Sequence, residues 1–204
     1  MAELYYFKDA GRGEAIRLAL ALSGIEFKEN SVNSSDWPAM KVKGLEDLSL
    51  PFGQLPLLKI NGMNIVESTS ILRYLSRKYI TPDADEEMAT TIDVMVEGWS
   101  EIISGYFAHL FSGPMVLYSW LYNECDSMLH HLETYYLRHN ELTKFFVSDT
   151  ITVVDCIAVA AIENIMYDMP DVLKDHKGLT ILMNNILTNE PIRRSLEERG
   201  MFCV

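Results

Sequence analysis

Cysteine is scarce in this chain, with three among 204 residues, at Cys125, Cys156 and Cys203. An odd number so widely spaced supports neither a disulfide framework nor a zinc cluster, and points to a reducing, cytoplasmic compartment. No apolar run reaches the roughly 20 residues that a membrane-spanning helix needs. The first residues carry charge and strand character, which a signal peptide does not. Basic residues are few as well: 17 Lys and Arg face 29 Asp and Glu, for a net charge of -12. That balance disfavours a nucleic-acid surface, which needs a basic face. Any anionic ligand must therefore be held by a local device. The five histidines include the pair His130–His131 but no second cluster at ligand spacing, so the pair reads as a solvated helix face and no metal is expected. What the chain does have is apolar content, 49% against 23% charged, enough for a soluble protein to bury a core. Its length allows one large domain or two small ones.

Punctuation along the chain favours two. Residues 3–7, ELYYF, read as a strand, and GRGEAIRLALALSG as a helix stopped by Gly24. FKENSV is a second strand, followed by NSSDWPAMKVKGLEDLSLPFG, expected to be a long irregular loop. LPLLKINGMNIVES reads as a hairpin whose Asn61-Gly62 pair suits a type I′ turn. ESTSILRYLSRKY is a helix with Ile71, Leu72 and Leu75 on one side. The acidic, proline-containing stretch TPDADEE marks the boundary between a first domain over residues 1–80 and a second over 87–204. Beyond it strand signals nearly vanish, and five helical stretches are separated by Gly113-Pro114, Pro170 and Pro191. In TITVVDCIAVAAI, Thr152 and Asp155 form a capping box ahead of an apolar run, which makes that helix central to the second domain. The expected architecture is a small α/β domain followed by an all-helical one.

Four local features carry possible chemistry. Pro56 in Gln54-Leu55-Pro56 opens a strand, either as a cis peptide that presents the Leu55 backbone to an extended ligand or as an ordinary edge proline. Glu67-Ser68 begins a helix, with Ser68 as the N-cap. The pair is either a cap alone or a site for a head group bearing both charges. Trp37 and Lys41 in DWPAMK are either a surface turn or a carboxylate grip. In the opening stretch, ELYYFKDAGRGEAIRL, Tyr5 and Tyr6 must face opposite sides of a strand, with Arg12 just past the turn.

YYFKDAGRGEAIRL, DWPAMK, PFGQLPLLKINGMNIVESTSILRYLSRKY and ITVVDC, in that order over essentially the whole chain, together resemble the cytosolic glutathione transferases. The resemblance is closest to the tyrosine-type classes, sigma above all. It implies a thioredoxin-like N-terminal domain, an all-α C-terminal domain, a homodimer and glutathione as co-substrate. Position by position, Tyr6 takes the catalytic tyrosine, leaving Tyr5 for core packing, and Arg12 takes an arginine near the sulfur. Trp37 and Lys41 fall at the glycyl carboxylate, Gln54 and Leu55, ahead of the cis-proline position Pro56, at the cysteinyl backbone and part of the γ-glutamyl grip, and Glu67 and Ser68 at the γ-glutamyl head group. Glu101 falls where relatives place an acid that reaches the partner's glutathione, and Phe52 at an aromatic key between subunits or in a core. Phe7, Tyr106, Phe107 and Phe202 are expected around an apolar second-substrate pocket.

The activity implied is conjugation of the glutathione thiolate to hydrophobic electrophiles, a detoxifying transferase reaction. A free thiol with pKa near 8.5 is only a few per cent thiolate at neutral pH. A phenol hydrogen bond and a nearby guanidinium need supply only about 2.7 kcal/mol to lower it by about two units. The rivals are a sigma-type prostaglandin isomerase and a non-enzymatic ligand-carrying or lens-structural descendant. A thioredoxin-like disulfide enzyme is disfavoured, because no Cys-x-x-Cys follows the first strand.

Overall fold

The computed structural model describes residues 1–139 and 143–200. Four strands, β1 (Ala2–Tyr6), β2 (Phe27–Ser31), β3 (Leu57–Ile60) and β4 (Met63–Val66), form one mixed sheet in the order β2-β1-β3-β4. β1 runs parallel to β2 and antiparallel to β3, and β3 pairs antiparallel with β4. A parallel neighbour needs a crossover, which α1 (Glu14–Leu22) provides. An antiparallel neighbour needs only a turn. Asn61 and Gly62 supply it with φ of 51° and 76°, the left-handed pair of a type I′ hairpin. α3 (Ser68–Leu75) follows, and its Ile71, Leu72 and Leu75 are wholly buried.

The helical half holds α4 (Glu86–Leu110), α5 (Pro114–Trp120), α6 (Asp126–His139), α7 (Val153–Met166), α8 (Lys177–Leu187) and α9 (Glu190–Glu198). Asp85 caps α4 by accepting from the Met88 N–H at 2.8 Å. α7 starts with the expected capping box: the Thr152 hydroxyl takes the Val154 N–H at 3.2 Å, and the Asp155 carboxylate takes the Thr152 N–H at 2.8 Å. Every residue from Val153 to Ile162 is buried, so α7 is the central helix. It packs against α4 on one side and against α1 of the sheet half on the other. One buried cluster therefore runs from Leu4 and Ile16 through Trp99 and Ile103 to Val159 and Leu182.

Three local expectations are corrected. The stretch expected to be a loop contains α2 (Trp37–Glu46), with Pro38 in its first turn. Only Gly44 is buried along it, so no apolar stripe betrays the helix in the sequence. Ser68 is the first residue of α3 and does not cap it. The cap position belongs to Glu67, whose side chain makes no capping bond. Tyr5 is not a core residue: it shares the half-exposed face of β1 with Glu3, to which its hydroxyl donates at 2.7 Å, and Lys59 lies 5.1 Å from its ring. His130 and His131 are exposed on α6, as read from the sequence.

Candidate functional site

Tyr6 ends β1 on the buried face, beside Ala2 and Leu4, and is 8% exposed. The chain then turns through Gly11–Gly13 and packs back on the ring. A Cβ at Gly13 would stand 2.4 Å from Tyr6 Cδ1, and one at Gly11, where φ is +44°, 2.6 Å from the phenol oxygen. Only glycine permits that approach. The Arg12 N–H donates to the Tyr6 hydroxyl oxygen at 2.9 Å, which fills its acceptor side and leaves the O–H proton for a further partner. Burial raises the Tyr6 phenol above its ordinary value, against the Arg12 N–H and the Arg12 and Arg17 charges, so it stays protonated at neutral pH.

Arg17 stiffens this turn from beneath. Its guanidinium, 1% exposed, donates to the carbonyls of Phe7, Asp9 and Ala10. It pairs with Glu14 at 3.2 Å and Glu29 at 2.6 Å, and lies 5.7 Å from the Tyr6 ring. Arg199, just past α9, also pairs with Glu14. Arg12 extends the other way: its Nη2 donates to Ser104 Oγ on α4 at 3.1 Å, and its guanidinium sits 6.0 Å from the Phe107 ring.

A cavity of about 1240 Å³ opens between the sheet half and the helical half. From the first half, Tyr6, Phe7 and Arg12 line it together with Trp37, Lys41, Gln54, Leu55, Pro56, Glu67 and Ser68. α2 explains one pairing, since Trp37 and Lys41 lie one turn apart on the same helix face. The Leu55–Pro56 peptide is cis. Glu67 has φ of 65°, a left-handed conformation uncommon outside glycine and concentrated at functional sites.

From the second half come Ser104, Tyr106, Phe107, Leu110 and Phe111. The Tyr106 hydroxyl is engaged, donating to Asp168 at 2.6 Å; burial and that carboxylate push its phenol well up. Every sequence-read site residue among those described meets in this cavity except Glu101, which is exposed and does not line it. Glu97 and Ser100, on the preceding turn of α4, line it instead, and Glu97 is held by Arg73. Phe202 lies outside the described residues. Phe52 is 64% exposed, so it does not belong to this chain's core.

The sequence reading missed Glu163, Asn164 and Tyr167, which bring α7 to the cavity wall. Asn164 reaches across to the Gly11 carbonyl at 3.4 Å. The available signal was the point where the apolar run of α7 breaks at Glu163-Asn164, in a helix buried without interruption from Val153 to Ile162. Glu163 Oε2 is fully buried without a hydrogen-bond partner. Burial and the Glu14 charge, opposed by Arg199, push the Glu163 carboxyl up to about 8.

A thioredoxin-like sheet with a cis-proline strand entry, packed on a helical half with an open cavity between them, defines the two-part glutathione S-transferase fold. Comparison with known families agrees: residues 2–77 match the glutathione S-transferase N-terminal domain, and residues 118–199 the glutathione S-transferase C-terminal domain. The chain belongs to the glutathione S-transferase family.

Glutathione S-transferase 1 of Ascaris suum is 27% identical over 205 residues, covering 97% of this chain and 96% of that protein. S-crystallin 4 of Enteroctopus dofleini is 24% identical over 212 residues, with the same coverage of 97% and 96%. Among solved structures, rat hPGDS complexed with a quinoline superposes with a TM-score of 0.84 at 22% identity, covering 100% of this chain and 99% of that one. At that identity the likeness concerns the fold.

Proposed function

We propose that the protein is a tyrosine-type glutathione transferase that adds the glutathione thiolate to hydrophobic electrophiles. The observation that carries this reading is the Tyr6 hydroxyl, on the cavity wall, its acceptor side filled by the Arg12 N–H. Its remaining proton is a donor for sulfur, and a hydrogen bond to the charged form lowers the thiol pKa. Arg12 adds positive charge beside that point. Trp37 and Lys41 take the glycyl carboxylate, and Gln54 with the Leu55 backbone before cis-Pro56 takes the cysteinyl unit as an added strand does. The strained Glu67 and the α3 N-terminus at Ser68 take the γ-glutamyl ammonium and carboxylate. Phe7, Tyr106 and Phe107 surround the electrophile. Residues 1–80 then form the glutathione-binding domain and 87–204 the helical domain.

We also read the active species as a cytoplasmic homodimer, in which exposed Phe52 seats in the neighbouring subunit and Glu101 reaches the partner's glutathione. No helix among the described residues is long and apolar enough to cross a membrane. Among the described residues no group of three or more His, Cys, Asp or Glu is placed to hold a metal ion.

Similarity to S-crystallin 4 favours a second reading, a non-enzymatic relative on the same fold. Immobilised glutathione, followed by a panel of electrophiles that includes a prostaglandin endoperoxide, separates the possibilities. Retention with conjugation supports the transferase. Rearrangement of the endoperoxide alone makes it an isomerase, and retention without turnover makes it a binding protein. Ser68→Ala is expected to weaken glutathione binding by roughly fivefold to tenfold, the value of one hydrogen bond near 1 kcal/mol. Unchanged affinity in a calorimetric titration refutes the head-group assignment.

A further inference from the structure

Among the described residues four acids line the cavity, Asp9, Glu67, Glu97 and Glu163, and of these only Glu163 has a buried carboxyl oxygen without a hydrogen-bond partner. It shares that wall with Tyr6, Arg12, Tyr106 and Phe107. Its neighbour Asn164 touches the Gly11 carbonyl, in the same turn that carries the Arg12 N–H to the Tyr6 hydroxyl. α7 thus abuts the place where the sulfur would lie. The Glu163 Oε2 atom is buried without a partner, and so is Oε1 of Glu14 on α1.

The charged and titratable groups around Glu163 come from each neighbouring element. They are Glu14 on α1 and Arg199 past α9, with Arg17 paired to that Glu14, and on the same cavity wall Asp9 and Arg12 in the turn and Tyr167 just past α7. With its carboxyl pushed up to about 8, Glu163 carries a proton at neutral pH and is a donor, not an anion. A neutral acid in a partly apolar site suits a substrate that develops negative charge on oxygen as it reacts.

We infer that Glu163 is a catalytic proton donor to the second substrate, hydrogen-bonding the carbonyl oxygen of a conjugated, α,β-unsaturated carbonyl compound as the glutathione thiolate adds. This rests on the glutathione reading and extends it to the electrophile. The thiolate electron pair forms the S–C bond at the β-carbon. The C=C π pair moves to the bond between the α-carbon and the carbonyl carbon, and the C=O π pair moves to oxygen. The Glu163 proton passes to that oxygen, giving an enol that tautomerises to the saturated carbonyl. The Glu163 carboxylate regains a proton from solvent, matching the one that the thiol released on ionising. Displacement of chloride from a haloarene expels an anion and takes up no proton, so it makes no such demand.

The test measures kcat/KM for a phenyl-substituted butenone and for chlorodinitrobenzene, both with glutathione, in the wild type, Glu163→Leu and Glu163→Gln. The butenone-to-haloarene ratio is expected to fall at least tenfold in Glu163→Leu, a modest share of what a general acid contributes. Glu163→Gln, a neutral donor that cannot release a proton, is expected to recover part of the ratio. In the wild type the ratio falls as pH rises through about 8, where Glu163 ionises, and in Glu163→Gln that decline is absent. An unchanged ratio in both variants, or the same pH profile in wild type and Glu163→Gln, overturns the inference. A wild type that turns over the haloarene but not the butenone also overturns it and leaves the glutathione reading standing. A wild type inert towards both removes the two together.

Discussion

Replacing Tyr6 with phenylalanine removes one oxygen from a ring clamped by Gly11 and Gly13, so the cavity shape is kept and the donor is lost. In the wild type the phenol stays protonated, with its acceptor side occupied by the Arg12 N–H at 2.9 Å, so its O–H has one role left. A hydrogen bond to a charged partner contributes about 1.5–3 kcal/mol, which equals roughly one to two units of thiol pKa. If bound glutathione ionises near about pH 6.5 with Tyr6 present, Tyr6→Phe returns it to about 7.5–8.5. At about pH 6.5 the thiolate fraction then drops from about half to about 1–9%, a loss of roughly fivefold to fiftyfold. At about pH 9 both proteins hold mostly thiolate, and the higher-pKa sulfur is the better nucleophile, so the gap closes or reverses. The assay is chlorodinitrobenzene conjugation across that pH range, with the ultraviolet absorbance of the thiolate titrated in parallel and glutathione affinity measured separately. A loss of equal size at every pH, or an unshifted thiolate titration, refutes the role of Tyr6 as sulfur donor.

Gly13→Ala places a methyl group 2.4 Å from Tyr6 Cδ1, so the ring must shift. Conjugation is expected to fall about tenfold or more, the usual cost of misplacing a reacting group, and activity equal to wild type would show that the ring yields freely. Arg17→Met strands Glu14, which is 0% exposed, with Arg199 as its remaining cation, and frees three backbone carbonyls. A loss of about 3–5 kcal/mol in urea unfolding is expected, and an unchanged midpoint would mean that Arg199 suffices. Asp155 is fully buried, and burial outweighs its three hydrogen bonds to push its carboxyl up to about 6. Its folded pKa exceeds its unfolded one, so its contribution is greatest at low pH and is lost as pH rises through about 6. Relative to Asp155→Asn, the wild type is expected to lose about 2 kcal/mol between about pH 4 and pH 7. A stability difference that does not vary with pH contradicts this.

The elements legible in the sequence were those with a local cause. The Asn61-Gly62 turn, the Thr152–Asp155 box and the apolar side of α3 each carry their own signal over a few residues, and each forms as read. α2 carried none, because a helix that buries only Gly44 has no reason to be periodic. The facing of Tyr5 and Tyr6 needed tertiary knowledge. Strand alternation says that they differ, but the glycine turn and Arg17 decide which one is covered. Glu14, Arg17 and Glu163 were illegible for a related reason. Charged residues are read as surface until a partner from elsewhere in the chain closes over them, and Arg199 stands more than 180 residues from Glu14. The cavity residues of the first half came from motifs in register; those of α7 had no motif to announce them.

Because α7 lies against α1 as well as α4, each half is missing a wall when the other is removed. The sheet half alone would leave wet the side of α1 that α7 covers, and the helical half would expose the other side of its central helix. Heat and urea are therefore expected to melt both in a single transition, with calorimetric and van't Hoff enthalpies in agreement. A ligand seated in the cleft between them would raise that one melting temperature as a whole. The cleft that separates the halves is thus floored by the element that prevents them from coming apart.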